Sequence, residues 1–107
     1  MSSKEIYNVV RLVPKPGKFQ EVADAFKILS KYIEDHEPKT QIYFALQPQG
    51  TEEFVFVEKY TDAANLKGHA SSPAFKQFGK ALAGNLAAAP EIKRADFIAG
   101  FEGRAKL

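Results

Sequence analysis

Hydrophobic and polar positions alternate from Ile6 to Val13, as they do along a strand. Ile6, Asn8, Val10 and Leu12 share one face, and Tyr7, Val9, Arg11 and Val13 share the other. Pro14, Pro16 and Gly17 break this strand. From Lys18 to Asp35 the period changes. Phe19, Val22, Ala23, Phe26, Leu29 and Ile33 recur at helical spacing, while Glu21, Asp24, Lys27 and Lys31 lie off that stripe. Glu37-Pro38 closes the helix, because proline disfavours helical geometry in the residue before it. Thr40 to Gln47 reads as a second strand, Pro48-Gln49-Gly50-Thr51 as a turn, and Glu53 to Tyr60 as a strand pairing back in a hairpin.

The stretch from Phe54 to Leu86 organises the rest. Phe54 to Tyr60 is rich in aromatic and β-branched residues. Thr61 and Asp62 stop the strand and open a helix, because either side chain can accept from an orphan helix N–H. Ser72-Pro73 restarts it with a cap residue and a first-turn proline. Phe75, Phe78, Leu82 and Leu86 then make an apolar stripe that runs to about Leu86. Gly84-Asn85 loosens the end and Pro90 stops it. Ile92 to Ile98 predicts a last strand carrying Arg94 and Asp96, and 99–107 reads as a polar tail.

The order βαββαβ predicts an α+β, ferredoxin-like fold: a four-stranded antiparallel sheet with its helices on one face. A single domain over 1–107 is expected, with a core at about 5–98. Tyr7, Val9, Val13, Ile42, Phe44, Leu46, Val55 and Val57, against Phe54 and Phe56 on the other side, make the first three strands largely apolar on both faces, yet helices cover only one. A second copy is therefore expected on the other side, as a homodimer packed sheet on sheet.

Composition narrows the function classes. A net charge of +2 with scattered lysines gives nucleic acid no basic patch to bind. With no cysteine, disulfides, thiolate metal sites and cysteine nucleophiles are excluded. No apolar run nears the about 20 residues that span a bilayer, so no membrane partner is expected. The N-terminus lacks a signal-peptide core, which predicts an intracellular, cytoplasmic protein. Ala105-Lys106-Leu107 is similar to the serine-lysine-leucine peroxisomal address and sets peroxisomal delivery as the alternative. No GxSxG, HExxH, GxGxxG or phosphate-loop pattern occurs. Glu34-Asp35-His36-Glu37 closes an exposed helix without a matching second cluster, so no metal is expected there.

The candidate chemistry is sparse. His69 falls three residues after Leu66, on the inward edge of the short helix at its break; a packed or capping histidine fits the same position. Asn8 interrupts an otherwise apolar strand face; it is either a donor to a substrate oxygen or an amide satisfied by backbone. Tyr43, Phe54, Phe56, Phe75 and Phe78 line an aromatic slot for a flat substrate or simply fill core. Arg11 and Arg94 could stabilise an anionic oxygen, though surface ion pairing is the expectation for both; Glu58 could orient a base or anchor an ion pair across the dimer, and the structural role is the expectation.

KPGK at 15–18, HEP at 36–38 and FVFVEKYTDAANLKGHASSPAFKQF at 54–78 resemble the antibiotic biosynthesis monooxygenase family over about positions 5 to 98. The resemblance implies a small dimeric α/β barrel, and it includes cofactor-free quinol oxygenases. It therefore implies a monooxygenase acting on a quinol or other dihydroxyaromatic with O2 and no cofactor. His69 would be the general base and Asn8 its catalytic companion, with the five aromatic residues holding the substrate. The alternative is a non-catalytic dimeric barrel that binds a small apolar molecule or acts in stress response. A haem-degrading branch of the superfamily pairs a first-strand Asn with a Trp and a ligating His. This chain has no Trp, and Gly79-Lys80 stand near the ligand place, so haem is not expected.

Overall fold

The computed structural model describes residues 4–104. In order it has β1 (Ile6–Leu12), α1 (Phe19–His36), β2 (Thr40–Leu46), β3 (Phe54–Tyr60), α2 (Ala63–Ser71), α3 (Pro73–Leu82) and β4 (Glu91–Ala95). The strands pair antiparallel in the order β2-β3-β1-β4, so this is the expected ferredoxin-like α+β sheet. Val22, Phe26, Leu29 and Ile33 of α1 and Phe78 of α3 bury against Val10, Leu12, Phe54 and Phe56 of the sheet. All helices therefore lie on one side.

Local chemistry explains the broken helix. The Asp62 carboxylate accepts from Asn65 N at 2.8 Å and starts α2. The Ser72 hydroxyl accepts from Phe75 N at 3.1 Å, and Pro73 takes the first position of α3, where its missing N–H costs nothing. The break thus leaves no end uncapped, and it turns α3 so that Phe75, Phe78 and Leu82 face the sheet.

The expectations need correction at the C-terminal end. Helix α3 stops at Leu82 rather than near Leu86, because Ala83 adopts ψ 124° and Gly84 takes φ +79°. Leu86 instead forms a bridge to Pro14, with Ala87 N donating to Val13 O at 2.8 Å. Strand β4 is shorter than the alternation implied and ends at Ala95. The tail is docked, not free. Glu102 accepts from Lys59 Nζ at 2.7 Å and from the Tyr7 hydroxyl, and Phe97 stacks on Tyr7 with centroids 6.1 Å apart. Ala105-Lys106-Leu107 lie outside the described residues. Among the described residues no helix is long and apolar enough to cross a membrane.

On the face away from the helices the tail covers Tyr7 and Lys59, while the β2–β3 side stays apolar and open. Phe44 is 45% exposed and Leu46 56% exposed there, beside partly exposed Ile42, Val55 and Val57.

Candidate active site

One register row crosses the whole sheet on its helix side. Tyr43 of β2 pairs with Glu58 of β3, Glu58 with Asn8 of β1, and Asn8 with Arg94 of β4. Four polar side chains thus form a stripe across an otherwise apolar floor. Above it lies a cavity of about 410 Å³ between the sheet and the α2–α3 pair. Phe56, Phe75, Phe78, Leu66 and Leu82 make its apolar walls, and Pro90, Ile92 and Arg94 border it on the β4 side.

His69 is in the wall of this cavity and only 3% exposed. Its ring packs among Tyr43, Tyr60 and Phe75, with centroids 5.2, 5.3 and 4.8 Å away. Nδ1 lies 3.1 Å from Glu37 Oε1, and Nε2 lies 3.5 Å from the Tyr43 hydroxyl. An ionised carboxylate can only accept, so the Glu37 contact assigns the proton to Nδ1. Nε2 is then the lone-pair nitrogen. Burial lowers the His69 pKa below its usual 6.5, and Glu37 opposes this by its charge and its hydrogen bond. A neutral imidazole, held in one tautomer with its basic nitrogen toward Tyr43, has the chemistry to accept a proton.

Glu37 had no place among the candidates. It caps the end of α1, and its carboxylate also accepts from Thr40 Oγ1 at 3.1 Å. The Glu34-Asp35-His36-Glu37 run divides accordingly: Glu37 turns inward to His69, while the His36 ring packs tilted against Tyr32, with centroids 4.8 Å apart. The HEP segment was the signal, since proline after Glu37 forces the chain to turn toward β2 at that point.

The other candidates fall into two groups. Asn8, Tyr43, Phe56, Phe75 and Phe78 all line the cavity with His69. Phe54 does not. It pairs with Leu12 at the far end of β1 and stacks on Phe19 at 4.3 Å, so it is core. Nor is Asn8 an amide satisfied by backbone alone: its Oδ1 accepts from Arg94 Nε at 2.9 Å. Arg11 makes the expected surface pairs, with Glu53 at 2.9 Å and Glu91 at 2.5 Å. Among the described residues Arg94 does not; it borders the cavity and meets Asn8 instead of a carboxylate. Glu58 is buried in the floor and accepts from the Tyr60 hydroxyl at 2.7 Å. Burial pushes its pKa up, against the hydrogen bonds from Tyr60 and Asn8.

The known proteins that resemble the chain carry the same architecture. A Caulobacter crescentus protein provisionally named an antibiotic biosynthesis monooxygenase is 26% identical, with a TM-score of 0.84 over 91% of this chain and 92% of that one. A conserved protein of Methanosarcina mazei is also 26% identical, with a TM-score of 0.78 over 85% of this chain and 90% of that one. A Bacteroides thetaiotaomicron protein with the same provisional name as the first superposes at a TM-score of 0.85 over 94% and 97% of the two chains; at 19% identity it speaks to the fold alone. No functionally curated protein matches the chain by sequence. The model of the antibiotic biosynthesis monooxygenase family matches residues 5–81, from β1 through nearly all of α3, and the chain belongs to that family.

Proposed function

We propose that this protein is a cofactor-independent monooxygenase of a quinol or other dihydroxyaromatic, with His69 as its general base. The observation that carries the reading is the Glu37–His69–Tyr43 relay in the wall of an aromatic cavity. His69 Nε2 takes the proton of a phenolic hydroxyl. The resulting phenolate is electron-rich enough to pass one electron to O2, and the radical pair joins as a ring peroxide. Its O–O bond then breaks. One oxygen stays on the ring and the other leaves as water, with all reducing electrons supplied by the substrate. A quinol and O2 thus give a hydroxyquinone and water, in balance. The apolar walls of Phe56, Phe75 and Phe78 hold the flat ring and exclude water from the base. Asn8 offers an amide to the substrate oxygen as its charge develops.

The working form in this proposal is a homodimer. A second copy covers the open face that displays Phe44 and Leu46, which would otherwise leave a large apolar surface in water.

The test is product analysis after incubation with a panel of quinols and anthrones under isotopically labelled O2. One labelled oxygen per product molecule supports the monooxygenase. Tight binding of the same compounds with no product would favour the non-catalytic carrier instead.

A further inference from the structure

We propose that the cavity selects an aromatic hydroxy compound carrying a carboxylate, and that Arg94 binds that carboxylate. This rests on the reading of the cavity as a quinol site and names the substrate class within it. The two sheet arginines, Arg11 on β1 and Arg94 on β4, differ in their surroundings. Arg11 is held by two carboxylates, Glu53 and Glu91, on the opposite side of the sheet from the cavity. Arg94 borders the cavity, and among the described residues only its Nε is engaged, by an amide oxygen at 2.9 Å. Among the described residues no carboxylate pairs with its Nη groups. The Asn8 contact fixes the plane of the guanidinium and leaves its outer N–H groups for a planar two-oxygen partner, the geometry in which arginine recognises carboxylates.

The row across the floor orders the rest. Asn8 separates Arg94 from Glu58, so the buried carboxyl is not the partner of the guanidinium. Burial of Glu58 favours its neutral form, which weakens its repulsion of a bound anion. The basic nitrogen of His69 and the guanidinium of Arg94 belong to different sides of the cavity: α2 carries one, and the edge strand β4 carries the other. A substrate that spans the cavity meets the base with its hydroxyl and the arginine with its carboxylate. Such a molecule enters with its charged end toward the exposed strand and its rings among the phenylalanines. At about 410 Å³ the space is ample for a two-ring aromatic.

The test reads binding without turnover. The full chain is titrated with 6-hydroxy-2-naphthoate, which carries hydroxyl and carboxylate at opposite ends of its two rings, and with 2-naphthol, which lacks only the carboxylate. Wild type is expected to bind the carboxylate at least about tenfold more tightly, the size of one charge-assisted hydrogen-bonded contact. In Arg94→Gln the two affinities converge, with that of 2-naphthol unchanged. Arg94→Lys keeps part of the preference, and it controls for any loss of fold in the first variant. Equal affinities in wild type, binding of neither compound, or a preference that survives in Arg94→Gln would overturn the inference. The quinol reading fails separately: a carboxylate preference without oxygen consumption removes the oxygenase and leaves the anion site standing.

Discussion

Glu37 caps α1 and His69 belongs to α2, yet Glu37 Oε1 and His69 Nδ1 approach to 3.1 Å. The carboxylate ends α1 and the imidazole sits in the last turn of α2. Their contact orients the ring and decides which nitrogen carries the proton. Replacing Glu37 by Gln keeps an acceptor oxygen but removes the charge that supports an imidazolium. Oxygen consumption by Glu37→Gln should fall by about 10- to 100-fold, with substrate affinity nearly unchanged. The His69 pKa should fall further, which NMR titration of the imidazole would read.

The pH profile follows from the direction of the His69 shift. Burial favours the neutral imidazole in the folded protein, so its pKa lies below 6.5. On the proposed mechanism the base is therefore competent at neutrality, and kcat should decline only as pH falls below about 6.5. Stability shows the same limb. Between the folded pKa and 6.5 the unfolded chain binds more protons than the folded one. Stability therefore drops as pH falls through that window. An equilibrium unfolding series from pH 4 to 8 checks this, and stability that rises on acidification through it would contradict the assignment.

Glu58 carries the opposite sign. Its folded pKa is raised above 4.5, so the folded chain holds the proton more firmly and stability falls as pH rises from there. Glu58→Gln keeps an acceptor for the Tyr60 hydroxyl and removes the buried charge. It should stabilise the protein by on the order of 1 kcal/mol at pH 7, an advantage that shrinks toward pH 4. Denaturant midpoints at both pH values measure it.

Gly79 offers a way to close the cavity without disturbing the fold. It lines the cavity from α3, and a Cβ built there meets nothing within 4 Å. Gly79→Ala should stabilise the helix by about 0.5–1 kcal/mol. Gly79→Phe should fill the space, keep the melting temperature within a few degrees, and weaken naphthol binding by about tenfold or more. Unchanged binding in Gly79→Phe would place the ligand elsewhere.

Much of this organisation was legible in the residues because it is periodic. The alternation in β1 places Asn8 beside Val10 and Leu12, and all three are buried on the helix side. The 3.6 period of α1 named Val22, Phe26, Leu29 and Ile33, its buried positions. What the pattern lacked was register. Phe54 and Phe56 share a face by parity, but only the pairing of Phe54 with Leu12 puts it at the far end, against Phe19. Glu37 was hidden for a related reason. Its partner is 32 residues away, and a carboxylate in an acidic helix end looks solvated until the chain turns it inward. The docked tail was missed because Glu102 reads as polar, and only the fold brings Lys59 beneath it.

The account turns on the lone-pair nitrogen of His69 facing a ring in the cavity. The most direct measurement is the rate of oxygen consumption at pH 7 across a panel of quinols and anthrones, with and without a carboxylate, comparing wild type with His69→Ala after subtracting the buffer rate. The predicted result is clear catalysis by wild type and a loss of about 100-fold or more in the variant. No catalysis by wild type, or equal rates in both, would contradict it.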